Sequence, residues 1–283
     1  MHIGIIIAAL LLVIVMVVAD REIYYFDGVH LGPKFQGWLY NKWAAKYDFD
    51  KQKSQANDGE LLTLPLLDKL KAMGSDLSEI LVLDVATGTG RFPYALFQQP
   101  EFTGHIIGLD ISLGMLLRAD ENLASYKNRF ELLHQSAMLL PFPDNTFDVA
   151  CCLEAIELMP DIHLSLNEIA RVLRPGGVLI TSRCTRRWGY DLKYRKPEEF
   201  KVLLKTSGFE QVDIMPWWKW FDRAFAHKPG RFAPAKQRKL IEILKCPNCG
   251  MITWANSQPQ RYHCQKCGTE IKTSPEGIVI YSK

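Results

Sequence analysis

The chain has 283 residues, a length that suggests one large domain or two smaller ones. Apolar residues make up 48% and charged residues 23%, which excludes an intrinsically disordered chain. The net charge is only +3, so a protein that coats nucleic acid by charge alone is excluded, although a local basic patch is left open. Seven cysteines cannot all pair within the chain. Four of them form two CxxC pairs, which favours a reducing compartment.

The N-terminal segment is a candidate for a membrane span. Ile3 to Ala19 are 17 residues without a charge, and as a helix they rise roughly 25 Å, slightly less than a hydrocarbon core of about 30 Å. The nearest Lys and Arg residues all follow the run, so the positive-inside rule leaves the rest of the chain in the cytosol. We therefore predict a single-pass anchor over residues 1–20, with the catalytic domain cytoplasmic. A signal peptide cleaved after Val17-Val18-Ala19 and a buried helix are the alternatives.

The middle of the chain, residues 21–230, alternates short apolar runs with helical patterns. The predicted strands are Ile80–Asp84, Ile106–Asp110, Phe130–Leu133, Phe147–Leu153 and Val178–Ser182. The predicted helices are Leu61–Met73, Arg91–Gln99, Ser112–Ala124, Ile162–Leu173 and Pro197–Ser207. This alternation predicts an α/β fold whose parallel sheet carries helices on both faces. Between the fourth helix and the fifth strand, Arg174–Gly177 is interpreted as a helix stop and turn. A basic linker helix is predicted over residues 231–245.

A glycine-rich turn carries the main functional inference. The run Val82–Gly90 places a strand directly before Gly88 and Gly90, where a ligand can approach the backbone closely. Asp110 ends the next strand, and a carboxylate at that position can accept hydrogen bonds from a ribose diol. Strand, turn, helix and acid together predict an adenosine-type ligand.

The turn does not match the dinucleotide fingerprint. No third glycine follows Gly90, and an acid, Asp84, lies at the end of the first strand. A carboxylate there suits an ammonium or sulfonium cation better than a pyrophosphate. The residues therefore favour S-adenosylmethionine over NAD.

With these motifs the chain resembles class I S-adenosylmethionine-dependent methyltransferases, of the group that includes the quinone-biosynthesis methyltransferases. The resemblance covers roughly Trp43 to Lys228. It rests on Lys42–Asp48 (KWAAKYD), Val82–Gly90 (VLDVATGTG), Gly108–Ser112 (GLDIS), Leu140–Asp148 (LPFPDNTFD) and Glu168–Gly177 (EIARVLRPGG). It implies a Rossmann-like seven-stranded sheet, with Glu210–Trp217 and Phe221–Lys228 as the final hairpin.

The same resemblance implies a set of cofactor-binding residues. Asp84, Gly88 and Gly90 would hold the methionine part, Asp110 the ribose, and Ile111 the adenine, and Ala86 is counted among the cofactor-binding residues. Ser136, followed by Ala137, stands where many family members have an adenine-binding Asp. Leu153 and Glu154 would lie near the transferable methyl. No residue is singled out as a base; the candidates by location are Tyr47, Asp48, His134 and Glu154.

The C-terminal cysteines predict a metal site. Cys246, Cys249, Cys264 and Cys267 stand in two CxxCG knuckles separated by 14 residues, and four thiolates suit tetrahedral zinc. Residues 246–283 thus resemble a zinc ribbon, interpreted as a structural or docking module. A redox dithiol and an iron site are the alternatives. The other cysteines, Cys151, Cys152 and Cys184, are interpreted as packing residues.

The region from Arg183 to Lys245 has a net charge of +9 and contains Trp217, Trp218 and Trp220. It is interpreted as a solvated sheet edge with core aromatics, as a membrane-facing surface, or as a nucleic-acid surface. The leading functional prediction is a membrane-tethered methyltransferase for a small or lipid-soluble acceptor. The alternatives are an RNA or protein methyltransferase that docks through the ribbon, and a non-catalytic adaptor.

Overall fold

The computed structural model describes residues 2–24, 26–51, 54–185, 194–233 and 236–281. Its helices are α1 (His2–Tyr24), α2 (Pro33–Lys51), α3 (Leu64–Ala72), α4 (Arg91–Phe97), α5 (Leu113–Asn122), α6 (Ile162–Val172) and α7 (Pro197–Thr206). Its strands are β1 (Leu81–Val85), β2 (His105–Asp110), β3 (Phe130–His134), β4 (Phe147–Cys152), β5 (Leu173–Cys184), β6 (Glu210–Trp218), β7 (Phe221–His227), β8 (Trp254–Gln258), β9 (Arg261–Cys264), β10 (Glu270–Thr273) and β11 (Val279–Ile280).

The predicted parallel sheet is present. Strands β5, β4, β1, β2 and β3 lie side by side and pair in parallel, and the antiparallel β6–β7 hairpin completes one edge. Alternate residues of β1 point to opposite faces. Leu81 and Leu83 join a core that includes α6 and α7, whereas Val82 joins a core with α3, α4 and α5.

Three details differ from the sequence prediction. Strand β5 begins at Leu173, so the predicted turn Arg174–Gly177 lies within an irregular start of this strand, where the pairing with β4 shifts register. The predicted linker helix is wrong: the described part of residues 231–245 contains only a short 3-10 turn, Leu240–Glu242. This segment is held by burial of its apolar residues against the sheet rather than by helical hydrogen bonds. The buried residues are Leu240, Ile243 and Leu244.

The seven predicted strands are present, but four strands of the C-terminal segment extend the same sheet to eleven. Strand β11 pairs in parallel with β3, and β10, β9 and β8 continue the sheet beyond it. The backbone N–H of Tyr281 donates to the His134 carbonyl at 3.2 Å, and the N–H of Lys245 donates to the Pro141 carbonyl at 2.8 Å. The C-terminal segment therefore covers an edge strand that would otherwise expose unpaired backbone groups.

Helix α1 is the one described helix that is long and apolar enough to cross a membrane. Its span Gly4–Ile23 has a mean hydropathy of 2.5, and none of its most apolar window is buried within the described chain. Membrane spans and signal sequences share this length and composition, so the anchor and the cleaved peptide both remain compatible with the helix.

The docking of the C-terminal segment generates a stability prediction. Ile278 is 1% exposed and packs into the core that contains α3, α4 and α5. Ile278→Ala should lower the free energy of unfolding by about 2–5 kcal/mol, because it removes buried methyl groups and leaves a cavity. Urea unfolding measures this change. Val202→Ala, at a position that is 59% exposed, is the control and should have little effect. Equal stability of both variants would contradict the docking.

Candidate functional site

A cleft opens where the parallel strands end at their carboxyl sides, the edge at which open α/β sheets bind ligands. The space among its lining residues, including the part open to solvent, is about 710 Å³. The segments after β1, β2, β3 and β4 form its floor, and α2 lies across it. The lining residues are Pro33, Gln36, Tyr40, Tyr47, Ala86, Gly88, Leu109, Asp110, Ile111, Met115, Gln135, Ser136, Ala137, Leu153, Glu154, Ala155, Leu158, Met159 and Pro160.

Most of the predicted cofactor residues meet in this cleft. Those that line it are Ala86, Gly88, Asp110, Ile111, Ser136, Ala137 and Leu153. Asp84 and Gly90 do not line it. Asp84 lies beneath the turn, where it accepts a hydrogen bond of 2.6 Å from the Thr87 hydroxyl. Gly90, with φ +84°, begins α4, and a Cβ at this position would lie 2.6 Å from Leu123.

Asp110 fastens the glycine-rich turn to the end of β2. One carboxylate oxygen accepts the backbone N–H of Gly88 at 2.9 Å, and the other accepts that of Ser112 at 2.8 Å. The residue is only 8% exposed, and each oxygen keeps a lone pair for a further donor. The geometry suits a diol that approaches from the cleft.

The turn itself is held in an unusual backbone conformation. Ala86 has φ +54°, which is costly for a residue with a side chain, and Gly88 has φ +55°. A Cβ at Gly88 would meet nothing within 4 Å, so the space above the turn is open on the cleft side. Backbone strain of this kind is concentrated at ligand sites.

Burial changes the ionisation of the two acids. It raises the pKa of Asp84 from its usual 3.8 to about 7, although the Thr87 hydrogen bond acts in the opposite direction. Burial also raises the pKa of Asp110, against the lowering effect of the Ser112 and Gly88 N–H groups. A cation bound beside either carboxylate would favour its charged form.

Glu154 belongs to a closed network of charges on the far side of the cleft. Its carboxylate accepts hydrogen bonds from Lys51 at 2.7 Å, from Arg91 at 2.6 Å and from the Trp218 indole at 2.9 Å. Arg91 also pairs with Asp58 and lies over the ring of Trp217. With φ +53° and three donors around it, Glu154 connects α2, α4 and β6 rather than facing solvent.

The structure bears on the interpretation of the basic region. Trp217 is buried and Trp218 is half-buried against the core that contains α3, α4 and α5, in agreement with the interpretation of these residues as core aromatics. Residues 186–193 and 234–235 of that region lie outside the described residues.

The four candidate bases differ in how freely they face the cleft. Tyr47 and Glu154 line it, whereas Asp48 pairs with Arg118 and His134 donates its Nε2–H to the Ile111 carbonyl at 2.9 Å. Burial raises the pKa of Tyr47 above 10, and Glu154 already accepts from three donors. Asp48 and His134 are therefore away from the cleft, and the two candidates that line it are a phenol with a raised pKa and a carboxylate engaged by three donors.

Sequence reasoning missed the wall contributed by α2. Gln36, Tyr40 and Tyr47 recur at spacings of four and seven, which places them on one helical face. The side-chain amide of Gln36 donates to the Leu158 carbonyl at 3.2 Å, which holds this face of α2 against the segment after β4. The helical spacing was readable from the sequence, but the sequence does not show which face of α2 meets the cleft.

The predicted metal ligands converge at the C-terminus. The sulfurs of Cys246, Cys249, Cys264 and Cys267 all lie within 4.8 Å of one another. Two of the pairs are 3.5 Å apart, close to the edge of about 3.8 Å for a tetrahedron with Zn–S bonds of about 2.3 Å. The knuckles are alike, since Gly250 donates to the Cys246 carbonyl at 2.9 Å and Gly268 to the Cys264 carbonyl at 2.8 Å. Four sulfurs in this arrangement could hold one metal ion.

The region that forms the cleft is similar in sequence to known proteins. Residues 83–181 match the family model described as a methyltransferase domain. Demethylmenaquinone methyltransferases of Bacillus licheniformis and Lactiplantibacillus plantarum are each 34% identical to this chain, over 148 and 157 residues. The first match covers 52% of this chain and 63% of the relative, and the second covers 52% and 57%. The chain thus spans less than two thirds of the length of these curated relatives.

Among solved structures, a SAM-dependent methyltransferase from Aquifex aeolicus shares 22% identity with this chain. The match covers 61% of this chain and 92% of that one, with a TM-score of 0.49. The match of residues 83–181 to a methyltransferase domain agrees with the enzyme class predicted from the motifs.

Proposed function

We propose that this chain is an S-adenosylmethionine-dependent methyltransferase that acts on a small or lipid-soluble acceptor. The observation that carries the proposal is the cleft between the Ala86–Gly88 turn and Asp110, with a buried carboxylate on each side of the turn. Asp110 would hold the ribose, Ile111 would pack on the adenine, and the turn, backed by Asp84, would hold the methionine part.

Bound in the cleft, S-adenosylmethionine would supply a methyl group already activated on its sulfonium. The residues of this chain then have to orient the acceptor and exclude water, which is how positioning accelerates a displacement. Helix α2 does both, because its inner face lies over the cleft.

The acceptor side of the cleft favours an apolar, ring-shaped molecule. Tyr40 and Tyr47 from α2 face Leu158, Met159 and Pro160 from the segment after β4. Burial raises the pKa of Tyr40 well above 10, so this phenol remains neutral. The curated relatives are named demethylmenaquinone methyltransferases, and this name supports an acceptor of the quinone type in its electron-rich reduced form, which gains the methyl group and releases a proton.

We further propose that α1 is a single-pass anchor and that the catalytic domain is cytoplasmic. The apolar helix is followed by Arg21, Lys34 and Lys42, the charge pattern of a cytoplasmic flank. An anchor would raise the local concentration of a membrane-borne acceptor. The cysteine cluster would hold zinc as a structural ion, since it lies away from the cleft at the far end of the sheet.

Replacement of Asp110 tests the cofactor assignment. Asp110→Ala should weaken S-adenosylmethionine binding by about 1–3 kcal/mol, because charged hydrogen bonds to the ribose are lost. Titration calorimetry measures the affinity, and Asp76→Ala, at an exposed turn, is the control. An unchanged affinity would remove Asp110 from the site. Absence of binding by the wild-type chain would favour the non-catalytic adaptor.

The raised pKa of Asp84 predicts proton release on cofactor binding. The free protein holds this carboxyl protonated below pH 7, and a bound cation favours the carboxylate. Affinity for S-adenosylmethionine should therefore increase from pH 5.5 to 7.5. At pH 6 the binding heat should vary with the ionisation enthalpy of the buffer. Asp84→Asn should abolish this dependence and Asp76→Asn should not. A buffer-independent heat in the wild type would contradict the linkage.

The stability of the free protein should respond in the opposite sense. A raised carboxyl pKa means that the folded state binds the proton more tightly than the unfolded chain. The contribution of Asp84 to stability is thus present at low pH and is lost as the pH rises from about 4 to about 7. Urea unfolding at pH 5 and pH 8 should show this loss in the wild type and not in Asp84→Asn.

Metal analysis tests the cysteine cluster. Elemental analysis of the purified chain should find one zinc per molecule, and Cys249→Ala with Cys267→Ala should lose it and unfold at a lower temperature. Cys151→Ala, which replaces a buried cysteine outside the cluster, should keep the metal. A metal-free wild type, or iron in place of zinc, would contradict the assignment.

A further inference from the structure

The face of α2 opposite the cleft carries a stripe of basic and aromatic side chains. Lys34, Trp38, Lys42, Lys46 and Phe49 recur every three or four residues, and we call this set the outer stripe. All five are exposed; Trp38 is 51% and Phe49 83% accessible. A single exposed aromatic is ordinary, but two that share one helical face with three lysines give this face a mixed apolar and basic character.

The two faces of α2 have different surroundings. The inner face holds Gln36, Tyr40 and Tyr47 against the cleft, about half a turn away from Trp38 at 100° per residue. The acids of α2 lie off the stripe and are engaged elsewhere. Asp48 pairs with Arg118, and Asp50 accepts the indole N–H of Trp43 at 2.7 Å.

The stripe is therefore positively charged without local compensation. None of its three lysines forms an ion pair with another described residue. Lysines interleaved with Trp and Phe on one helical face are typical of helices that lie in the headgroup region of anionic membranes. A purely polar surface helix would have no reason to expose both aromatics.

The position of α2 in the chain selects a lipid surface as the partner. Helix α1 ends at Tyr24 and α2 begins at Pro33. The connecting residues span at most about 30 Å even when fully extended. If α1 is the anchor, as proposed above, the stripe is always within reach of the headgroups.

We propose that the outer stripe of α2 lies on an anionic lipid surface. Lys34, Lys42 and Lys46 would pair with lipid phosphates, while Trp38 and Phe49 would enter the upper acyl region. The opposite face of the same helix walls the cleft, so a lipid-soluble acceptor would pass from the bilayer around α2 to the methyl donor. This proposal rests on the proposed anchor and not on methyl transfer itself.

Fluorescence quenching by brominated lipids tests the contact directly. The full chain is placed in lipid nanodiscs whose acyl chains are brominated near the headgroup. Discs rich in phosphatidylglycerol are compared with discs of phosphatidylcholine. Trp38→Phe should remove about half or more of the tryptophan quenching in anionic discs, since an interfacial indole is the one within reach of bromine. Trp220→Phe, at the β6–β7 turn, is the matched control and should retain it.

Charge reversal gives a second, independent measurement. Lys34→Glu, Lys42→Glu and Lys46→Glu together should reduce the quenching of Trp38 in anionic discs to the level seen in neutral discs. The same change at Lys205, Lys239 and Lys272, which are exposed on other elements, should not. Circular dichroism of each variant shows that the fold is retained.

The possible outcomes separate the proposals. Equal quenching of wild type and Trp38→Phe, or quenching independent of lipid charge, would overturn the docking of α2 while the anchor stands. RNA binding by the wild type and by the triple lysine variant is measured in parallel. If the variant loses RNA binding while its quenching is unchanged, the lipid docking of α2 is overturned in favour of a nucleic-acid surface. Failure of the chain to remain in discs would refute both the anchor and the docking. Absence of methyl transfer with normal quenching would refute only the proposed activity.

Discussion

The cleft depends on the two backbone hydrogen bonds that the Asp110 carboxylate accepts. This carboxylate accepts one backbone N–H from the turn after β1 and one from the start of α5, so a single buried charge sets the distance between the two loops. Because the residue is 8% exposed, water cannot replace these bonds, and an uncompensated buried charge is costly. The strained Ala86 and the open face of Gly88 are tolerated because this carboxylate holds the turn in place.

A second set of buried charges performs the same task on the acceptor side. Four charged residues join α2 and the segment between α2 and α3 to the end of β4 and the start of α4: Glu154, Arg91, Lys51 and Asp58. Paired charges that are fully hydrogen-bonded define a geometry, whereas removal of one partner leaves a buried charge unpaired. The Asp110 hydrogen bonds and the Glu154 ion pairs thus hold the two sides of the cleft in place. Methyl transfer would then depend on positioning by these walls and on the exclusion of water.

Much of the sheet was predictable because its signals are local. Apolar runs such as Leu81–Val85 and the glycine-rich turn are read from consecutive residues, and the acid at the end of β2 follows at a recognisable spacing. The pairing of β11 with β3 joins residues about 145 positions apart along the chain and has no local signal. The same limit hid the Glu154 network, whose partners Lys51, Arg91 and Trp218 come from three distant segments. The linker was predicted as a helix from its basic pattern, but burial of Leu240, Ile243 and Leu244 against the sheet determined its path.

A crystal structure of the full chain with S-adenosylhomocysteine tests the assignment of the cleft most directly. The nucleoside should lie at the carboxyl ends of β1 and β2. Both ribose hydroxyls should then be within hydrogen-bond distance of the Asp110 carboxylate, and the adenine should pack against Ile111. A cleft that stays empty at saturating ligand, or a nucleoside bound elsewhere with Asp110 unchanged, would contradict it.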